Sequence, residues 1–148
     1  MFRLFAGLAL ALCLAPALAA QPSLPPGYYL EDAAGGARFE APVATAFLPD
    51  GTMYVAAKRG ILWAVRGGTR LSTPVIDLQD EVQEGGDRGL LGITLDPDFD
   101  QNRYIYLYYV VQTTADDIFD ATGYSRVTRY TVSVDGTTLI PASRTVLI

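Results

Sequence analysis

The chain has 148 residues, of which 50% are hydrophobic and 18% are charged, and this composition is typical of a globular domain. Acidic residues outnumber basic ones by 16 to 11, and the formal net charge of −5 argues against a nucleic-acid partner, because nucleic acids are recognised by basic surfaces. The sequence has no histidine and a single cysteine, Cys13, which excludes histidine bases, histidine metal ligands and multi-thiolate metal sites within it.

Residues 1–19 predict a secretory signal peptide. Arg3 precedes an apolar run, which is followed by a proline and several alanines, and this is the pattern of a cleaved export signal. We expect cleavage near Ala19 or Ala20, which would place the protein in the periplasm or outside the cell with no membrane span. An uncleaved membrane anchor is the alternative, although the apolar run is short for a span of about 20 residues.

The rest of the chain predicts a lead-in followed by a β-rich domain. Residues 20–37 are rich in proline, glycine and alanine without periodicity, which indicates an extended segment, and the folded domain covers residues 38–148. No helical period of useful length follows, and short β-forming runs alternate with turn residues. Eight runs fall into two groups of four: 43–48, 53–57, 61–66 and 74–78, then 90–95, 104–111, 125–133 and 144–148.

A weak internal repeat supports this division. The segment AFLPDGTMYVA (46–56) aligns with TLDPDFDQNRYIYLY (94–108) on a shared Pro-Asp pair. A period in the forties with four strands in each unit is typical of propeller blades. The predicted fold is therefore an all-β propeller, present as about two four-stranded blades. A β-sandwich with a chance Pro-Asp match is the competing interpretation.

The segment LLGITL (90–95) is apolar throughout, which predicts an inner strand packed on both sides and lining the channel of the propeller. The charged connection QDEVQEGGDRG (79–89), which we call the mouth loop, would then cross one end of that channel. Gly85 and Gly86 would permit the positive φ that such a turn needs. The tyrosines within 104–109 are expected to pack between blades on both faces of their strand rather than to stack on a sugar.

Four segments resemble the soluble glucose/sorbosone dehydrogenase family: AFLPDGTMYVAAKRGILWAV (46–65), DRGLLGITLDPDF (87–99), NRYIYLYY (102–109) and SRVTRYTV (125–132). The resemblance implies a six-bladed propeller that oxidises sugars with pyrroloquinoline quinone (PQQ), a histidine base, and a calcium ion that holds and polarises the quinone. It also implies that the chain is the N-terminal part of a longer protein, truncated in the second blade. The catalytic histidine and the ligands of PQQ and calcium are then expected beyond Ile148.

One pocket position of the family can be carried over to this chain. Two residues before the first glycine of GLLG, the sugar enzymes have a glutamine, whereas this chain has Asp87, followed by Arg88. An ionised aspartate accepts hydrogen bonds but cannot donate them, so it would contact a quinone carbonyl poorly. Asp87 and Arg88 are the candidate cofactor-binding residues, and the departure puts glucose specificity in doubt. A local ion pair between the two residues, which would order the loop, is the competing interpretation.

The predicted function is therefore the hydride-transfer step of a PQQ-dependent dehydrogenase acting on an aldose- or sorbosone-type sugar. The chain alone is expected to be inactive, and its unpaired strand edges and uncovered blade face predict poor solubility. Two alternatives remain: a noncatalytic secreted propeller that binds a protein or glycan, like hedgehog-interacting relatives, and an unrelated exported β-sandwich.

Acidic residues offer two further patterns. Asp96, Asp98, Asp100 and Asn102 have the alternating spacing of a calcium loop, but the glycine and glutamate that such a loop requires are absent, which favours a strand-to-strand turn. Five other acids could bind a cation at the channel mouth, although a solvated acidic loop is the preferred interpretation: Asp77, Asp80, Glu81, Glu84 and Asp87. Asp116, Asp117 and Asp120 predict an exposed polar loop.

Overall fold

The computed structural model describes residues 23–114 and 122–148, which belong to two compact units divided after Glu31. In the first unit the described residues contain one turn, where the Tyr28 N–H donates to the Pro25 carbonyl at 3.2 Å. The second unit, Asp32–Ile148, holds all the described strands. The predicted signal peptide and the three acids at 116–120 lie outside the described residues. Among the described residues, no helix is long and apolar enough to span a membrane.

The first sheet, which we call the first blade, is antiparallel. Its strands are β1 (Pro42–Phe47), β2 (Met53–Ala57), β3 (Ile61–Arg66), β4 (Thr69–Arg70) and β5 (Ile76–Asp77). They lie in the order β1-β2-β3-β4, and β5 pairs with the other end of β3.

The outer strand of the first blade is longer than predicted and is interrupted. Between β4 and β5, Leu71 donates to the Ala64 carbonyl at 2.9 Å and Val75 donates to the Leu62 carbonyl at 2.7 Å, so the pairing with β3 continues on both sides of the break. Pro74 lies in the break, where its missing N–H costs no ladder hydrogen bond. The predicted outer strand at 74–78 therefore covered only the second half of the real one.

The second sheet, the second blade, is also antiparallel, in the order β6-β7-β8-β9. Its elements are β6 (Leu90–Leu95), a single helical turn α1 (Phe99–Asn102), β7 (Tyr104–Val111), β8 (Tyr124–Val132) and β9 (Leu139–Val146). The prediction of the last strand at 144–148 was wrong, because β9 begins at Leu139. The pairing of β8 with β9 shifts register near Thr131, whose N–H donates to Ser143 Oγ at 2.8 Å.

The internal repeat is confirmed in structural detail. β1 and β6 begin at Pro42 and Leu90, and each strand shifts register against its neighbour one residue later, before Ala44 and Gly92. The same bulge therefore stands at the start of both inner strands. The all-β fold with two blade-like sheets agrees with the sequence-based prediction.

The two Pro-Asp turns close in the same way with different lengths. In the first blade the Leu48 N–H donates to the Thr52 carbonyl at 2.8 Å, and in the second the Asp96 N–H donates to the Tyr104 carbonyl at 2.9 Å. The second closure encloses four more residues, and α1 accommodates them. A helix of four residues is too short to leave a periodic signal in the sequence, which is why it was not predicted.

Asp96 organises the longer of these turns. One carboxylate oxygen accepts from the Asp98 N–H and from the Asn102 amide, both at 2.9 Å, and the other accepts from the Tyr106 hydroxyl. These hydrogen bonds, first of all the one from Tyr106, hold the pKa of Asp96 below its usual value. The predicted strand-to-strand turn is therefore confirmed.

The core lies between the two blades. Side chains from the facing surfaces form one buried cluster, which includes Tyr54, Ala56, Leu62, Ala64, Leu90, Ile105, Leu107, Tyr109, Tyr130 and Val132. The Tyr54 hydroxyl crosses the interface and donates to the Gly136 carbonyl at 3.0 Å. The opposite face of β7 was predicted to be buried as well, but Tyr108 there is 41% exposed, because no further described sheet packs against it.

Candidate functional site

The mouth loop, residues 79–89, connects β5 to β6 and is attached to the end of β7. The Gln83 N–H donates to the Val110 carbonyl at 2.9 Å, and the Gln112 N–H donates to the Glu81 carbonyl at 2.8 Å. These two bonds flank an isolated antiparallel bridge between Val82 and Val111. The first half of the loop therefore behaves as a short extension of the second blade.

Gly89 controls how the loop enters the inner strand. Its φ is 144°, and a Cβ at this position would lie 2.6 Å from the Lys58 carbonyl oxygen and 2.7 Å from Lys58 Cγ. The next residue, Leu90, donates its N–H to the same Lys58 carbonyl at 2.8 Å, which joins the inner strand to the first blade. Only glycine lets the backbone approach so closely, which explains the first glycine of the DRGLLG segment.

Lys58 also holds the middle of the loop. Its ammonium group donates to the Gly86 carbonyl, and Gly86 has a φ of 60°. The predicted need for a positive φ in the glycine pair is thus met at Gly86. Lys58 contacts the mouth loop at Gly86 through its side chain and the first residue after the loop, Leu90, through its backbone, so the turn between β2 and β3 supports the second half of the loop.

Glu81 is the most heavily bonded acid of the loop. Its carboxylate accepts from the Tyr109 hydroxyl at 3.0 Å and from the guanidinium groups of Arg126 and Arg144. The side chains of Glu81, Arg126 and Arg144 are only 22%, 18% and 34% exposed. The prediction of a solvated acidic loop is therefore wrong for Glu81, which is an internal partner of the second blade.

The tyrosine in this cluster is itself part of a buried network. Tyr109 is fully buried, and its hydroxyl lies 3.1 Å from Thr128 Oγ1 as well as within reach of Arg144. Burial on its own lowers the pKa of Arg126, but hydrogen bonding and the neighbouring tyrosines and Glu81 raise it above its ordinary value. The arginine therefore stays charged over the whole physiological range.

Glu84 makes the other ion pair of the loop. Its carboxylate lies 3.1 Å from Arg59 Nε, and Arg59 also reaches Glu40 at 3.4 Å. These side chains are 31%, 44% and 75% exposed, so water screens both pairs, and each stabilises the fold by about 1 kcal/mol or less.

The two candidate site residues lie between the anchors of the loop. Asp87 is exposed and Arg88 is half-buried, and the Arg88 N–H closes a turn to the Gly85 carbonyl at 3.2 Å. The structure places both residues within three positions of the Lys58 contacts. In the part of the chain that is described, no three His, Cys, Asp or Glu side chains are grouped so that they could hold a metal ion. The assignment of Asp87 and Arg88 to a cofactor stays a prediction.

Comparison with protein families decides the family of this chain. The family model described as Glucose / Sorbosone dehydrogenase matches residues 39–144. The chain belongs to the glucose/sorbosone dehydrogenase family. A curated member of similar sequence is aldose sugar dehydrogenase YliI of Escherichia coli (strain K12), which is 35% identical over 117 residues that make up 78% of this chain. The chain spans about 30% of the length of that relative.

Solved structures of the family show the same fold. The soluble aldose sugar dehydrogenase of Escherichia coli in its apo-form matches with a TM-score of 0.61 and 28% identity, over 74% of this chain and 29% of its own. A putative oxidoreductase (glucose dehydrogenase) from Thermus thermophilus matches with a TM-score of 0.58 and 32% identity, over 74% and 30%. The PQQ-bound aldose sugar dehydrogenase of Streptomyces coelicolor gives 0.58 and 24%, over 79% and 32%. These propeller dehydrogenases confirm the fold class.

Proposed function

We propose that this member of the glucose/sorbosone dehydrogenase family is the N-terminal portion of a PQQ-dependent sugar dehydrogenase, which oxidises a sugar hydroxyl by hydride transfer to the quinone. The family match over residues 39–144 carries the proposal. The relatives are named aldose sugar or glucose dehydrogenases, and a neighbour with the same fold is described in its PQQ-bound form. The noncatalytic alternative is not favoured, since the relatives that support the family are named for an enzyme activity.

The described residues do not by themselves fit a quinone or calcium site. Within residues 23–114 and 122–148 no cluster of metal-ligating side chains is present, and the carboxylate of Asp87 has no proton to donate to a quinone carbonyl. In our proposal the catalytic histidine and the ligands of PQQ and calcium lie beyond Ile148. The described part contributes the loop at the channel mouth.

Asp87 has a different role in this proposal. A carboxylate exposed on the mouth loop can accept hydrogen bonds from the hydroxyl groups of an incoming sugar, which are donors. Arg88, the next residue of the mouth loop, places a positive charge beside this carboxylate. The protein would act in the periplasm or outside the cell, as the predicted signal peptide over residues 1–19 suggests.

The test begins with the coding DNA beyond codon 148 and uses the product of the complete reading frame. We expect reduction of an artificial electron acceptor that requires PQQ, calcium and an aldose together, with no turnover when the quinone is left out. A folded product that binds PQQ and calcium but oxidises none of a panel of aldoses would refute the dehydrogenase proposal.

A pair of variants tests the role of Asp87. Asp87→Ala removes the acceptor and should raise the KM for the sugar about fivefold, the equivalent of one hydrogen bond of about 1 kcal/mol. Asp80→Ala removes an exposed carboxylate from the same loop and should leave KM unchanged. Equal effects of the two substitutions would show that general charge, and not the position of Asp87, matters.

A further inference from the structure

We propose that Glu81 is a positioning residue, which holds the first half of the mouth loop on the second blade and so acts together with Lys58 to set the position of Asp87 and Arg88. The inference rests on the proposed function only for its claim that Asp87 and Arg88 contact the substrate. Its structural part concerns the attachment of residues 79–89 and stands independently of any bound cofactor.

Three strands of the second blade converge on this one side chain. Tyr109 lies on β7, Arg126 on β8 and Arg144 on β9, and all three donate to the same carboxylate oxygen of Glu81. Hydrogen bonds to charged partners are stronger than neutral ones, and the low exposure of the cluster limits screening by water. The loop is therefore attached across most of the width of the blade through Glu81.

The backbone of the same residue adds to this attachment. The Glu81 carbonyl accepts from the Gln112 N–H at 2.8 Å, and two residues later the Gln83 N–H donates to Val110. The next anchors along the chain are Gly86, bonded to the Lys58 ammonium, and Leu90, bonded to the Lys58 carbonyl. Asp87 and Arg88 lie between these two Lys58 anchors, so Glu81 acts on them through the first half of the loop, which leads into Gly86.

The charges of the cluster make Glu81 hard to replace. One carboxylate faces two guanidinium groups, so a neutral side chain at position 81 leaves two partly buried positive charges close together with no anion between them. Their repulsion would act on the contact between the loop and the blade. Glu84 is on the same loop and, among the described residues, pairs with one guanidinium group only, that of Arg59, which is 44% exposed, so Glu84 is the matched control.

The experiment is hydrogen–deuterium exchange of the protein expressed from its complete reading frame, without quinone or sugar. In Glu81→Gln we expect exchange of the Gln83 and Gln112 amides and of the peptide covering 84–89 to rise at least tenfold. The amides of the β7–β8 ladder should stay protected. Glu84→Gln should change exchange of the loop less than twofold. Glu81→Asp keeps the charge and should recover part of the lost protection.

Any one of three results would overturn the proposal. Unchanged loop exchange in Glu81→Gln would show that the cluster does not hold the loop, and an equal rise over both blades would show a general structural role. If Glu81→Gln does not fold, Arg144→Gln removes only the more exposed donor, and it should raise loop exchange about threefold; no local rise there refutes the proposal. Because no turnover is measured, an inactive protein would count against the dehydrogenase proposal and leave this one standing.

Discussion

The backbone has the same hydrogen bonding before the inner strand of each blade, but the residues that make it differ. Ala41 and Gly89 occupy equivalent positions before the inner strands, and their carbonyls accept from the N–H groups of Lys58 at 2.9 Å and Val110 at 3.0 Å. Both have positive φ, 42° for Ala41 and 144° for Gly89. Only at Gly89 does the backbone of the neighbouring blade pass so close that a Cβ is excluded. The glycine is therefore required by the junction between blades rather than by the strand it precedes.

The largest effect should come from placing a side chain at that junction. Gly89→Ala puts a Cβ 2.6 Å from the Lys58 carbonyl oxygen, so the two blades must separate, and we expect a loss of at least about 3 kcal/mol in the free energy of unfolding. Urea unfolding of the complete protein measures it. Gly92→Ala is the control, because its Cβ would meet Tyr108 at 3.4 Å, and it should change stability by less than about 1 kcal/mol.

Equivalent tyrosines offer a second test of the blade junction. Tyr54 and Tyr106 occupy matching positions in β2 and β7, but the Tyr54 hydroxyl crosses to the Gly136 carbonyl, whereas Tyr106 bonds to Asp96 in its own blade. Tyr54 is fully buried, and this burial raises the pKa of its hydroxyl, so the group remains a donor at alkaline pH.

Tyr54→Phe should cost about 1–2 kcal/mol, because it leaves a buried carbonyl without its donor. Tyr106→Phe should cost less, since water can replace the lost partner of Asp96. Thermal unfolding of the two variants side by side compares them. A larger loss in Tyr106→Phe would mean that the turn at Asp96, and not the junction, is the more important contact.

A substitution in the first blade should stabilise the protein. Ala41→Gly places a glycine at the position where the second blade has Gly89. It removes the strain of an alanine with positive φ, which costs about 1–2 kcal/mol. It also adds a backbone entropy cost of about 0.5–1 kcal/mol. We expect a net gain of about 0.5–1 kcal/mol in chemical denaturation. Ala44→Gly, in β1 itself, adds the entropy cost and removes a methyl group that packs against the core, so it should destabilise.

The smallest effect concerns the turns between the outer strands. The first blade turns from β3 to β4 through Gly67 and Gly68, both with positive φ. The second blade turns from β8 to β9 around Asp135, whose carboxylate accepts from the Ser133 hydroxyl at 2.6 Å and from the Thr137 N–H and hydroxyl at 3.1 and 2.8 Å. These bonds, first of all that from Ser133, lower the pKa of Asp135 to about 2.

Because the folded-state pKa of Asp135 lies below its unfolded value, its contribution to stability is present above the unfolded pKa and is lost as the pH falls towards 2. Asp135→Asn should lower the melting temperature slightly at neutral pH, and the difference from the parent protein should vanish near pH 2. A difference that persists there would assign the effect to the shape of the side chain instead of its charge.

The sequence predicted some strands better than the outermost strand of each blade, for a physical reason. β2, β3, β6 and β7 were predicted with their observed bounds, because each is a run of β-forming residues between turn residues. The outer strands depend on contacts that a local pattern does not contain, such as the bond from Thr131 to Ser143 that shifts the register of β9. An edge strand can be polar and broken and still pair.

The sequence predicted parts of the mouth loop itself but not the contacts that support it. The glycines of the mouth loop and the apolar strand after it were visible in the sequence. The partners of Glu81 were not, because Arg126 and Arg144 follow it by 45 and 63 residues and meet it only in the folded chain. One signal was available: Arg126 shares a face of β8 with the buried Thr128 and Tyr130, and an arginine on such a face needs an internal acid.

The Glu81 cluster also has a consequence for folding during synthesis on the ribosome. At a synthesis rate of about 5–20 residues per second, the ribosome reaches Arg144 about 3–13 s after Glu81. During that interval the mouth loop has its acid but lacks the last of its two cations. The Glu81 cluster therefore cannot be completed until β9 has been synthesised. A translational pause between the codons for Glu81 and Arg144 would lengthen the time for which the incomplete second blade is accessible to chaperones and proteases.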